Sequence, residues 1–235
     1  MASLFTVLFV AVMCYVILML FKYLSKKKEE KPETGGIKNI IFDVGQVLVD
    51  YDWETYLDSF GFEPAKRERI AKATFQSPVW DERDRGLYEE DVYLKQFQEL
   101  DPEDAEDIEK VIRGTGGTIH KRPYADTWVK YLKSKGYHLY ILSNYASYMI
   151  DHTKKELTFR KEMDGEVFSC YVNQLKPEPE IYQIILNKYQ LKPEECVFID
   201  DRSENCRGAQ EQGIHTICFK DFKQVTADLE KLGVK

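Results

Sequence analysis

Four short stretches carry side chains whose types can do chemistry together. In FDVGQVLVD (42–50), Asp43 closes an apolar run and Gly45 stands two residues on. In LSN (142–144), Ser143 and Asn144 follow another apolar run. Lys176 lies in LKP (175–177), and Asp200, Asp201 and Asn205 lie in FIDDRSEN (198–205). Taken singly, each has an ordinary reading. Ser143 could cap a helix, Lys176 could be a solvated loop residue, and the two aspartates could be turn formers. Taken together they supply a carboxylate nucleophile, a hydroxyl donor, an ammonium counter-charge and an acidic metal site, the set that phosphoryl transfer requires. Gly45 lets the backbone turn tightly, so that N–H groups such as that of Val44 can point at an anion.

The elements around these stretches are expected to bring them to one place. Near-continuous apolar, β-branched runs at 37–42, 137–142, 166–171, 196–199 and 214–219 read as strands. Helical segments at 125–134, 179–189 and 203–212 separate them, with Pro179 at a helix start where its missing N–H costs little. Buried strands alternating with helices predict an α/β fold with a parallel sheet covered on both faces. In such a sheet, ligands bind beyond the C-terminal strand ends, which is where the four stretches stand. The segment between the first two strands is far too long for an ordinary crossover. Residues 54–117 are rich in charged helix formers, so a helical cap is expected there, with a catalytic core of 37–53 and 118–235. Trp80, Asp84 and Arg85 precede Gly86, which is expected to end a cap helix. Arg85 has two readings, a contact to substrate or a surface salt bridge, and the salt bridge is expected.

FDVGQVLVD, LSN, LKPEPEIY and FIDDRSENCRGAQEQGI, taken in order, resemble the four signature motifs of the haloacid dehalogenase (HAD) superfamily. The wording resembles the sugar-phosphatase subgroup that includes glucose-1-phosphate phosphatase-like proteins and the N-terminal phosphatase domain of epoxide hydrolases. The resemblance implies a Rossmann-like core and an Mg²⁺-dependent phosphate-monoester hydrolase that works through an aspartyl-phosphate. Asp43 would be the nucleophile. Asp43, the Gly45 carbonyl, Asp201 and Asp200 would hold the metal, and Asn205 would orient its waters. Lys176, Ser143, Asn144 and the N–H groups of Val44 and Gly45 would bind phosphate oxygens. The substrate would be a small phosphorylated metabolite, a sugar phosphate by preference, with the cap closing over it. One position departs from the pattern: most HAD phosphatases carry an acid/base Asp where this chain has Gly45. Asp50 and Asp52 are near in sequence, but Asp52 is placed to cap the helix beginning near Trp53. Two rival readings are a dehalogenase, which needs no metal, and a tethered pseudophosphatase that binds a phosphorylated partner.

The net charge of −7 argues against nucleic-acid binding, which needs Lys and Arg clusters. None of the five cysteines forms a CxxC pair, and they read as reduced, packed side chains. Residues 3–21 are uncharged and apolar, and at 1.5 Å per residue roughly 20 such residues cross a hydrocarbon core. Lys22, Lys26, Lys27 and Lys28 follow the run rather than precede it, and no small-residue cleavage site follows. A single-pass membrane anchor is therefore expected, with a basic, polar linker at 22–36. The lysines put the catalytic domain in the cytoplasm.

Overall fold

The computed structural model describes residues 36–235. The expected membrane span at 3–21 and the linker up to residue 35 lie outside the described residues. Among the described residues, no helix is long and apolar enough to cross a membrane.

The first apolar run forms Asn39–Phe42 (β1) in the centre of a five-stranded sheet. Its neighbours are His138–Ser143 (β4) and Cys196–Asp200 (β6), with Gly165–Phe168 (β5) and His215–Cys218 (β7) at the edges. Every pairing in this sheet is parallel, in the order β5-β4-β1-β6-β7. Alternation along β1 serves two cores. Ile40 and Phe42 pack on one face with Trp128, Val129 and Leu139, while Ile41 packs on the other with Tyr182, Ile185 and Phe198. All three β1 side chains are fully buried, and each such burial stabilises by about 1.5–3 kcal/mol. This explains why the strand reads as a continuous apolar run rather than an alternating one.

Helices occupy the stretch between β1 and β4: Trp53–Asp58 (α1), Pro64–Ala73 (α2), Pro78–Arg85 (α3), Glu90–Leu100 (α4) and Ala105–Arg113 (α5). They surround a core of their own, built on Leu57, Ile70, Phe97, Ile108 and Ile112. The insert leaves and rejoins the main domain through an antiparallel ribbon, Val49–Tyr51 (β2) with Ile119–Lys121 (β3). Asp52 caps α1 by accepting from the Thr55 N–H at 3.1 Å, and Gly86 ends α3 in the left-handed conformation, both as expected.

The strand expected at 166–171 is shorter. It stops at Phe168, and Ser169–Val172 is a helical turn (α8). Tertiary bonds decide this: the Ser169 hydroxyl donates to the Asp84 carbonyl at 2.6 Å and accepts from the Tyr145 N–H at 2.9 Å. The ribbon and the helices Ser147–His152 (α7) and Phe222–Lys231 (α11) were not expected. Ala125–Ser134 (α6), Pro179–Lys188 (α9) and Ser203–Glu211 (α10) stand where the sequence placed helices, with Pro179 in the first turn.

Candidate active site

Parallel strands all end at the same edge, so the residues after β1, β4 and β6 are forced together. The Asp43 N–H continues the β1–β6 ladder by donating to the Ile199 carbonyl at 2.8 Å, which seats Asp43 beside Asp200. Oxygen atoms of Asp43, Asp200 and Asp201 lie within 4.8 Å of one another. Lys176 arrives from the loop before α9 and stands between two of them. Its Nζ is 2.9 Å from Asp43 Oδ1 and 2.6 Å from Asp200 Oδ2. The Asn144 side chain fixes that loop from both sides, donating to the Lys176 carbonyl at 3.1 Å and accepting from its N–H at 2.8 Å.

Asp200 is a hub. It is fully buried, and besides Lys176 it accepts from the Arg202 N–H at 2.8 Å and from Asn205 Nδ2 at 3.0 and 3.1 Å. With that amide turned to Asp200, the buried Asn205 Oδ1 is left without a partner. Burial pushes the Asp43 carboxyl well above the carboxylate range, Lys176 works against it, and Asp200 adds to it. For Lys176, burial disfavours the charge, but Asp200 and Asp43 overcome this and hold it above the ordinary lysine value. Asp201 is raised by burial and by Asp200. One ammonium thus faces three carboxylates, and the excess negative charge suits a bound cation.

The turn after Asp43 is tight. The Val44 N–H donates to Asp43 Oδ1 at 2.7 Å, so it secures the carboxylate rather than standing open to the cleft. The Gly45 carbonyl accepts from the Val47 N–H at 2.7 Å. Gln46 adopts φ 55°, a strained value for a side chain with a Cβ, and is held by bonds to the Tyr51 carbonyl and from Arg122. Ser143 is buried against Asp43, and its hydroxyl lowers the Asp43 pKa. Asp50 pairs with Arg122 at 2.8 Å on the ribbon.

A cleft of about 300 Å³ opens over Asp43, Gly45, Asn144, Lys176, Asp201 and Asn205. Its opposite wall comes from the insert and the ribbon: Tyr51, Trp53, Phe75, Trp80, Asp81 and Asp84. These rings pack against one another: Trp53 stacks on Phe75 at 5.2 Å, Tyr51 stacks on Trp80 at 6.1 Å, and Phe75 meets Trp80 at 4.9 Å with the planes tilted. A larger groove of about 580 Å³ between α6 and α11 is lined by Trp128, Tyr131 and Phe222. It lacks a clustered nucleophile and counter-charge, which the smaller cleft brings together. Sequence reasoning did not place Tyr51, Phe75, Asp81, Asp84 and Arg202 in the site. A usable signal was Asp81 and Asp84 at i and i+3 on one face of a short helix beside Trp80.

The insert is tied to the main domain at the end of α3. Arg85 meets Glu178 with both guanidinium arms, at 2.8 and 3.0 Å, so the expected salt bridge spans the two parts. Asn173 Nδ2 donates to the carbonyls of Arg85 and Gly86 at 3.1 Å each.

The haloacid dehalogenase-like hydrolase family matches residues 37–213. The chain is similar to flavin mononucleotide hydrolase 1 of Arabidopsis thaliana, at 25% identity over 89% of this chain and 83% of that protein. It is similar to D-ribitol-5-phosphate phosphatase of Bacteroides thetaiotaomicron, at 27% identity over 77% of this chain and 90% of that protein. A match to rat (Rattus norvegicus) bifunctional epoxide hydrolase 2, at 33% identity, covers 43% of this chain and 19% of the relative, so the chain spans about a fifth of that protein. The fold matches a HAD family enzyme from B. thetaiotaomicron solved with magnesium and inorganic phosphate. That likeness has a TM-score of 0.64 and 23% identity, and covers 81% of this chain and 99% of the other.

Proposed function

The chain belongs to the haloacid dehalogenase-like hydrolases, and we propose that it hydrolyses phosphate monoesters of small metabolites with Asp43 as nucleophile. The observation that carries this is Lys176, whose single buried ammonium bridges Asp43 and Asp200 in the lining of a cleft holding a third carboxylate, Asp201. Relatives named as a flavin mononucleotide hydrolase and a ribitol-5-phosphate phosphatase support a small phosphate ester as substrate.

Asp43, Asp201 and the Gly45 carbonyl are the groups that would hold Mg²⁺. Asp200, whose oxygens are already taken by Lys176, Asn205 and Arg202, would orient them. The excess of carboxylates and the unpartnered Asn205 Oδ1, able to accept from a metal-bound water, both fit such an ion. When bound, Mg²⁺ would neutralise phosphate charge and favour ionised Asp43.

The chain's own residues do the rest. Lys176 favours the ionised form of Asp43 against the effect of burial, and offers its remaining donor capacity to a phosphate oxygen. An Asp43 oxygen forms a bond to phosphorus as the ester P–O bond breaks and the leaving group departs with that electron pair. Water oxygen then bonds to phosphorus, the Asp43–phosphorus bond breaks, and phosphate leaves. The packed rings of Tyr51, Trp53, Phe75 and Trp80 offer an apolar wall to the carbon frame of the leaving group, and Asp81, Gln46 and Arg202 offer hydrogen bonds to its hydroxyls. Sugar and sugar-alcohol phosphates fit that mixture.

Hydrolysis of p-nitrophenyl phosphate by the purified protein with Mg²⁺, and its loss in EDTA and in Asp43→Asn, tests the reading. Release of halide from a 2-haloacid without metal would replace it with a dehalogenase, and phosphoester binding without turnover would replace it with a pseudophosphatase.

We further propose that residues 3–21 anchor the protein as one membrane span with the hydrolase domain in the cytoplasm. The support is the uncharged length of the run and the lysines that follow it.

A further inference from the structure

Gly45 leaves the proposed reaction without a proton donor at the usual place, and the structure offers another. Asp84 lies at the end of α3 and lines the same cleft as Asp43, Asn144 and Lys176. Its backbone is fixed in the frame of the phosphate end of the cleft. The Asp84 carbonyl accepts from the Ser169 hydroxyl at 2.6 Å, and that hydroxyl accepts from the N–H of Tyr145, the residue after Asn144. Arg85 and Gly86, next in the chain, are held by Glu178 and Asn173. A cap residue whose backbone is tied to the main domain in this way presents a placed group, not one on a free lid.

We propose that Asp84 is the general acid/base of this site, protonating the leaving-group oxygen in the first step and taking a proton from water in the second. The inference rests on the phosphatase reading above. In the first step the ester P–O bond breaks as the Asp43 oxygen bonds to phosphorus, and the Asp84 proton passes to the departing oxygen, leaving an alcohol and an Asp84 carboxylate. In the second, water gives one proton to that carboxylate as its oxygen bonds to phosphorus. The Asp43–phosphorus bond breaks, and inorganic phosphate departs with Asp84 protonated again.

The surroundings suit a carboxyl that keeps its proton near neutrality. Burial pushes Asp84 up to about 7, against Arg83 and the Ala146 N–H and with help from Asp81 and Asp43. Tyr51, Tyr145 and Cys170 are its other ionisable neighbours, and burial raises all three, so they stay neutral across that range. The room left by Gly45 agrees. No atom lies within 4 Å of where its Cβ would stand, and its φ is ordinary, so neither packing nor backbone demands glycine there.

The test uses two esters, because p-nitrophenolate departs without a proton and an alkoxide does not. Asp84→Asn is expected to cut kcat/KM for an alkyl phosphate such as glycerol phosphate by about 10²–10⁴-fold, and for p-nitrophenyl phosphate by less than about tenfold. Adding Gly45→Asp to Asp84→Asn is expected to recover the alkyl ester preferentially, since the new carboxyl enters the same cleft. Equal losses on both esters, or no loss on the alkyl ester, overturn the proposal. If Asp84→Asn does not fold, the unmodified protein still decides. Its alkyl-to-aryl ratio of kcat/KM is expected to fall as pH rises through about 7, above the second phosphate ionisation near 6. A flat ratio overturns the assignment. Failure of the unmodified protein to hydrolyse either ester with Mg²⁺ overturns the phosphatase reading as well.

Discussion

Lys176 Nζ stands between Asp43 and Asp200, which would otherwise repel each other inside the protein. Lys176→Ala is expected to lower kcat/KM by about 10²–10³-fold, because it removes the fixed charge that faces the phosphate. It also leaves Asp200 buried without its cation, a loss of about 3–5 kcal/mol that is larger where Asp43 is ionised. Urea unfolding at pH 5 and pH 8 checks this, with the greater loss expected at pH 8. Asp84 carries the opposite sign of pH dependence when replaced. Its folded pKa is raised, so the folded state binds the proton more tightly than the unfolded chain does. The stability this contributes is complete below the unfolded value near 3.9 and is lost as pH rises through about 7. Asp84→Asn is therefore expected to gain Tm relative to the parent at pH 8 and little at pH 4. The placing of Asp43, Asp200 and Asp201 at one sheet edge was legible from sequence because each follows an apolar run that forms a central strand, and Lys176 was legible only through its company with them. Asp84 was not, because its place in the cleft depends on where α3 docks, and that is set by Ser169, Asn173 and Glu178, far along the chain. Val44 was read as an anion donor, yet its N–H turns back onto the carboxylate beside it.

At the scale of elements, α3 joins the proposed substrate wall to the proposed phosphate site. Gly86 closes it at φ 72°, and a Cβ there would stand 2.6 Å from the Cys170 carbonyl oxygen. Gly86→Ala meets both a left-handed backbone and a backbone clash, so a loss of about 2 kcal/mol or more is expected in chemical unfolding. Activity on cap-contacting substrates is expected to fall further than activity on p-nitrophenyl phosphate. The Arg85–Glu178 pair has both guanidinium arms engaged and is only partly exposed. A double-mutant cycle with Arg85→Ala and Glu178→Ala is expected to give a coupling of about 1 kcal/mol. No coupling would mean that the end of α3 is held by its other ties, those of Ser169 and Asn173, and not by this pair. The helical character of the insert was legible from its charged helix formers. The β2–β3 ribbon was not, since three-residue strands joined across sixty-odd residues leave no periodic signal. The helical turn Ser169–Val172 defeated local reading for a similar reason, because Phe168, Cys170 and Tyr171 favour extension until tertiary bonds to Ser169 override them.

At the scale of the whole molecule, the parallel sheet explains why residues scattered from 43 to 205 can act as one group. The same fold is compatible with attachment to a membrane through residues outside the sheet. Alkaline carbonate extraction is expected to leave the full chain in the membrane pellet, and protease added outside intact cells is expected to spare the hydrolase domain. A soluble, secreted and shortened species would contradict the anchor without touching the chemistry. The chemistry itself stands on one covalent bond. Acid-quenching the protein during turnover of a phosphate ester with Mg²⁺, then mapping the phosphoryl group by peptide mass spectrometry, examines that bond directly. The expected result is a hydroxylamine-labile phosphoryl group on Asp43, converted by borohydride to homoserine at position 43. Sustained turnover with no phosphoryl group on Asp43, or with the group on another residue, would contradict the nucleophile and the mechanism built on it.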